Sequence, residues 1–142
     1  MKDRAAREVV YFVGAIDLAR AVPLGPSRDP VRQPIYDTIW VALDRELNQF
    51  VADAKFKGAP DEEQTVEIGY GTYPAFQRRG YMTEIVAGLT AWAFSQSGIE
   101  RVTAETALDN IASQAVLLNN QFIPFEQNEY VCWWEKKRDR AY

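Results

Sequence analysis

Histidine is absent from this 142-residue chain, and cysteine occurs once, at Cys132. Without histidine, neither a Ser-His-Asp triad nor a Cys-His pair can be assembled. Without histidine and a second cysteine, the usual zinc sites and any internal disulfide are excluded, and no metal is expected. Acid–base chemistry near neutral pH is left to Glu, Asp, Tyr, Ser, Lys or solvent. Cys132 stands between Val131 and Trp133, and a packing role is expected of it. No apolar run approaches the roughly 20 residues of a membrane-spanning helix. Met1-Lys2-Asp3-Arg4 opens on mixed charge rather than on the apolar core of a signal peptide, so a cytoplasmic setting without a membrane partner is expected. The net charge of −4 gives the chain as a whole no pull on nucleic acid.

What is present is an ordinary globule, with 47% hydrophobic and 25% charged residues. The length accommodates one domain over residues 1–142 and no second core. An aromatic share of 13%, with four Trp, points to a well-filled core or, as the alternative, an aromatic-lined groove.

Along the chain, Val9, Phe12, Val13, Ile16 and Arg20 recur at three- and four-residue steps, which predicts a helix from Asp3 to Arg20. Three prolines between Pro23 and Pro30 then make a loop. Residues 1–34 therefore read as an atypical N-terminal helix and loop, and residues 35–137 as the core. Strands are predicted over Ile35–Leu43 and Leu47–Phe56. Thr65–Thr72 alternates cleanly, with Val66, Ile68 and Tyr70 on one face and Glu67, Gly69 and Gly71 on the other. A helix follows over Gly80–Ser97, with Gly98 as its left-handed C-terminal cap. A strand over Ile99–Thr106 precedes a helix capped by Asp109 or Asn110 and running to Asn119. Phe122–Phe125 and Tyr130–Glu135 close the chain as strands. Trp133 and Trp134 point to opposite faces, one to the core and the other to a groove or a homodimer contact. The order predicts a mixed α/β (α+β) domain.

The segment from Val66 to Phe94 is strand, short loop and helix, with Gly80 at the junction. The first amides of a helix lack intrahelical partners, and the helix dipole adds positive charge there, a combination that suits an anion. Arg78 and Arg79 add guanidinium groups whose fork geometry matches phosphate. The loop is not a Walker loop, because no Gly-Lys-Ser/Thr follows, and it lacks the three-glycine dinucleotide fingerprint. The alternative is an Arg-bearing surface loop that binds nothing.

Gln77-Arg78-Arg79-Gly80-Tyr81-Met82 resembles the Gln/Arg-x-x-Gly-x-Gly/Ala pyrophosphate motif of the GNAT superfamily of N-acetyltransferases. Val66-Glu67-Ile68-Gly69-Tyr70-Gly71, Tyr81-Met82-Thr83-Glu84 and Asn110-Ile111-Ala112-Ser113 with Phe122 look like its ribosomal-protein-alanine (RimJ/RimL-type) branch. The resemblance covers roughly Thr38 to Lys137. It departs at Met82, where a small residue is usual, at Gln121, where Gly is usual, and before Ile35, where an expected first strand is not legible.

The resemblance implies a mostly antiparallel twisted sheet flanked by helices, splayed into a V between the strands at about 65–73 and 99–106. It implies acetyl-CoA as co-substrate, with its pyrophosphate at Gln77, Arg78, Arg79, Gly80, Tyr81 and Met82. The pantetheine arm would pair with backbone at Tyr70, Gly71 and Thr72, and Asn110 would contact its amide. Glu67 is implied as the base that takes a proton from the amine, directly or through water, and Ser113 as the hydrogen-bond donor to the departing thiolate. Leu117 stands where other members carry a Tyr. Each has a plainer reading: a strand glutamate in an ion pair for Glu67, a helix-start serine for Ser113, and a helix cap for Asn110. Glu84 is either substrate-facing or a stabilising acid in a first helical turn. The implied activity is acetyl transfer to a small-molecule or peptide primary amine by direct attack in a ternary complex. The alternative is an inactive acyl-CoA-binding sensor or interaction module.

Overall fold

Apolar residues at every second position build most of this domain into a single sheet. The computed structural model describes the backbone of residues 7–13 and 16–21, then residue 36 and residues 39–139. The elements are β1 (Arg7–Val13), β2 (Ile16–Ala21), β3 (Ile39–Asp44), β4 (Gln49–Phe56), β5 (Thr65–Thr72), α1 (Tyr81–Ser95), β6 (Arg101–Ala107), α2 (Ile111–Asn119), β7 (Ile123–Gln127) and β8 (Val131–Lys137). The eight strands lie in the order β1-β2-β3-β4-β5-β6-β8-β7. Every neighbouring pair is antiparallel except β5 and β6, which α1 joins as a parallel crossover. This is the mixed, mostly antiparallel sheet with flanking helices that was expected.

The N-terminus corrects the sequence reading. Within the span expected to be a helix over Asp3–Arg20, with no first strand, the described residues instead form β1 and β2, with Val13 opposite Ile16. Val9, Phe12, Val13 and Ile16 satisfy a helical stripe, but a run as rich in β-branched and aromatic residues as Val9-Val10-Tyr11-Phe12-Val13 favours extended backbone. An adjoining sheet edge at β3 decides the matter, since β2 pairs with it from Ile16↔Asp44 to Arg20↔Trp40. The proline-bearing loop over Pro23–Pro34 and the start of the strand predicted from Ile35 lie outside the described residues.

The core gathers on the face of the sheet that α1 covers. Trp40, Phe56, Trp92 and Tyr36 meet edge-on or tilted, with ring centroids 4.9–6.1 Å apart. Val66, Ile68, Ile85, Val86 and Leu89 are buried beside them. Cys132 and Trp134 share the buried face of β8, and the Trp134 indole N–H donates to Thr106 Oγ1 at 3.0 Å. Burial pushes the Cys132 thiol up, in keeping with packing rather than reactivity.

The α1 C-terminus differs from expectation, whereas α2 ends at Asn119 as predicted. α1 ends without a left-handed glycine: Gln96 is its C-cap, in extended conformation, and Gly98 does not take a positive φ. Arg138 does the capping instead, donating to the carbonyls of Phe94, Gln96 and Ile99 while pairing with Glu100 at 3.1 Å. α2 ends in a Schellman turn, with Gln121 N–H on Leu118 O and Phe122 N–H on Leu117 O. Gln121 takes φ 63 there, the left-handed position a glycine would fill without strain. The turn is sealed by Leu117 and Phe122, both fully buried.

Candidate active site

The β5–β6 seam is half closed. β5 pairs with β6 only from Thr65↔Arg101 to Ile68↔Ala104. Beyond Ile68, β5 remains paired with β4 as far as Ala52↔Thr72, and β6 remains paired with β8 as far as Ala107↔Val131. Each strand thus follows its outer neighbour, and the two part as a V. This is the splay implied by the resemblance, and it leaves β5 backbone groups from Gly69 to Thr72 without partners on the β6 side.

At the open end of the V, a single 3-10 turn over Pro74–Phe76 and an exposed loop carry the chain to α1. Arg78 and Gly80 both adopt positive φ, 66° and 80°. A left-handed arginine is uncommon, and such turns of the backbone make concavities lined by N–H groups. Gly80 is the N-cap of α1, and no side chain caps the helix. A Cβ placed on Gly80 would meet nothing within 4 Å, so its need for glycine lies in φ alone. Arg79 lies over the Phe76 ring, 5.5 Å from its centroid.

The start of α1 is anchored from below. The Tyr81 hydroxyl donates to Asp44 Oδ2, and Asp44 Oδ1 accepts from Leu47 N–H at 2.9 Å. The Tyr81 hydrogen bond holds the Asp44 carboxyl below its ordinary range, and the same bond raises the Tyr81 phenol.

The far wall of the cleft is the start of α2. Asn110 caps it, accepting Ser113 N–H on Oδ1 at 3.0 Å. Across the opening, the Tyr70 hydroxyl and Ser113 Oγ are 2.8 Å apart. Burial pushes the Tyr70 phenol up. The cleft so bounded has a volume of about 500 Å³. The predicted residues Tyr70, Gly71, Thr72, Gln77, Arg78, Arg79, Gly80, Tyr81, Met82, Asn110 and Ser113 all line it. Met82 is half-buried against the core, and Leu117 is wholly inside it.

Glu67 is not in that lining. It points from the opposite face of β5, one residue before the last β5–β6 pair, and its Oε2 accepts from Lys57 Nζ at 2.9 Å. The Lys57 chain lies across Gly69, whose hypothetical Cβ would come within 3.2 Å of Lys57 Cε. Glu84 keeps one carboxylate oxygen buried and without a hydrogen-bond partner among the described residues. Also among the described residues, no group of acids and cysteine is arranged to hold a metal ion, and no helix is long and apolar enough to cross a membrane.

Sequence reasoning missed two residues that shape the site, Asp44 and Lys57, and the side-chain role of Tyr70, which it places at the cleft for its backbone. Asp44 anchors Tyr81, Lys57 engages Glu67, and Tyr70 reaches Ser113 with its side chain rather than offering backbone alone. None has a local signature, because each partner is brought in by strand pairing or by the crossover.

The parallel seam thus opens into a cleft beside a helix start whose amides have no side-chain cap, an arrangement able to receive an anion. The acetyltransferase (GNAT) domain model matches residues 27–123, and the chain belongs to this family. It is 34% identical over 95 residues to the uncharacterized N-acetyltransferase YjdG of Bacillus subtilis, covering 66% of this chain and 56% of that protein. The fold is similar to that of RimL, a ribosomal L7/L12 alpha-N-protein acetyltransferase solved in complex with coenzyme A. That match has a TM-score of 0.63 at 19% identity and covers 70% of this chain and 61% of the other. It is equally similar to the spermidine N-acetyltransferase SpeG of Vibrio cholerae, with a TM-score of 0.63 at 10% identity, covering 70% and 63%. The chain thus spans about half the length of the curated relatives it matches.

Proposed function

We propose that this chain transfers an acetyl group from acetyl-CoA to a primary amine by direct attack within a ternary complex. The single observation that carries the reading is the V between β5 and β6 opening onto the free amides of α1. The cleft suits the co-substrate in each of its parts. Past Ile68 the β5 backbone is paired with β4 and no longer with β6, so its edge facing the V can offer hydrogen bonds to an amide-bearing arm, and a buried backbone group gains from any partner it finds. The amides of Gly80, Tyr81 and Met82, with Arg78, Arg79 and Gln77 at the rim, suit a pyrophosphate. Asn110, already committed to capping α2 through Oδ1, retains its Nδ2 for the arm.

In the reaction, the amine nitrogen bonds to the thioester carbon, the carbon–sulfur bond breaks, and coenzyme A leaves as the thiolate. We assign Glu67 as the group that receives the proton lost by the amine, and Ser113 as the hydrogen-bond donor to the departing sulfur. Glu67 lies beside the apex of the V on the face away from the cleft, so the acceptor approaches from that face. Its ion pair with Lys57 is half-exposed and therefore weak, and an incoming ammonium can replace Lys57 on the carboxylate.

The acceptor is a protein N-terminus, as in the RimJ/RimL branch, or a small amine. The fold accommodates both, since proteins named for L7/L12 and for spermidine share it. A second reading, an acyl-CoA-binding module without turnover, draws on the Lys57–Glu67 pair, which engages the proposed base. Calorimetric titration with acetyl-CoA, then thiol release over a panel of N-terminal peptides and polyamines, separates the two. Turnover on any member supports the enzyme, binding without turnover supports the module, and no binding defeats both. Glu67→Gln is expected to lower kcat by roughly 100-fold while CoA affinity holds. An unchanged kcat removes Glu67 from the mechanism.

A further inference from the structure

We infer that Tyr70 is a positioning residue: its hydroxyl donates to Ser113 Oγ and so turns the serine's own proton toward the sulfur of coenzyme A. This rests on the acetyl-transfer reading and adds to it a residue whose side chain acts only through Ser113.

Ser113 Oγ and Tyr70 OH lie 2.8 Å apart, although 43 positions separate the residues in the chain. Among the described residues, Tyr70 is the one hydrogen-bond partner of Ser113 Oγ. The two groups come from opposite walls of the V, Tyr70 from β5 past the last paired residue and Ser113 from the first turn of α2. Ser113 is therefore held on two sides, its backbone N–H by Asn110 and its side chain by Tyr70.

The direction of the bond follows from acidity. A phenol, with an ordinary pKa near about 10, is a far stronger acid than an aliphatic alcohol and the better donor of the two. Burial raises the Tyr70 phenol further, so it keeps its proton. With Tyr70 donating, one lone pair of Ser113 Oγ is occupied and the serine O–H is free to turn into the cleft. A serine at the start of a helix otherwise turns toward nearby backbone carbonyls, where it gives the sulfur nothing. No proton changes hands between Tyr70, Ser113 and the sulfur: Ser113 stabilises the thiolate by a hydrogen bond, and solvent protonates the released thiolate.

The test uses the full chain and its Tyr70→Phe, Ser113→Ala and doubly substituted forms. Phe keeps the ring and its packing and removes only the hydroxyl. Two quantities are read: kcat with acetyl-CoA and an amine of the panel, and the apparent pKa of the thiol of bound coenzyme A, followed by thiolate absorbance. Tyr70→Phe is expected to lower kcat roughly tenfold and raise the thiol pKa by roughly one unit, with CoA affinity within about twofold. In the Ser113→Ala background the same change is expected to do nothing further, because the hydroxyl has lost its target. Additive effects overturn the proposal, as does a thiol pKa indifferent to Tyr70→Phe. A protein that fails to turn over any amine but shows the coupled thiol shift sinks the acetyl-transfer reading and leaves this one standing.

Discussion

Two helices start at the edge of the same cleft, and they start differently. α2 is capped by its own sequence: Asn110 takes the Ser113 amide. α1 has no side-chain cap, and it is entered from a left-handed glycine two residues after a left-handed arginine. A fold built only for stability would cap both, since a missing cap costs about 1 kcal/mol. The start of α1 is nonetheless held in place, by the Asp44–Tyr81 bond to the β3–β4 hairpin rather than by anything that covers its amides. The lesson is a division of labour. One helix start is closed to hold Ser113 still, and the other is kept open while being anchored from behind.

That contrast can be broken at either helix. The largest effect is expected at the open start. Gly80→Val forces a β-branched residue into φ 80° and aims its side chain into empty space beside the amides. Strain of about 1–3 kcal/mol, relieved by moving the loop, should weaken CoA binding roughly 10- to 100-fold by calorimetry. The unfolding midpoint should shift far less than that loss implies, because the loop is exposed. Equal affinity in this variant would mean that the open amides are not the anion site.

At the closed start the balance should reverse. Asn110→Ala is expected to cost about 1 kcal/mol in urea unfolding by freeing the Ser113 amide, with a smaller change in CoA affinity. A loss of affinity larger than the loss of stability would show that Asn110 acts mainly on the ligand. The smallest effect belongs to the far end of α2. Gln121→Gly places glycine at a φ of 63° inside an otherwise complete Schellman turn. It should stabilise the fold by about 0.5–1 kcal/mol, leaving CoA affinity unchanged.

Much of this molecule is legible residue by residue. The alternation from Thr65 to Thr72 marks β5 to the residue, and the glycine after two arginines marks the loop before α1. Asn110 three residues before Ser113 marks the cap of α2. Gln121 looked like a departure from the family and proves to be a tolerated left-handed residue, because the buried Leu117–Phe122 contact holds the turn without glycine. The N-terminus is where a local pattern misled. Val9, Phe12, Val13 and Ile16 fit a helical stripe, yet the residues lie in paired strands, because the free edge of β3 rewards extended backbone and no periodicity records that edge.

Local chemistry therefore determined the strand β5, the two helix starts and the groups able to receive an anion, since each depends on neighbours within a few residues. The choice of glycine, arginine and asparagine at those places is written in the chain. Only the tertiary structure decided how far β5 and β6 stay paired, which acid Tyr81 would meet, that Lys57 would cover Glu67, and that Tyr70 would reach Ser113 across the opening. The reason is physical. A parallel crossover sets the distance between residues tens of positions apart, and the parting of two strands is fixed by what each pairs with on its other side.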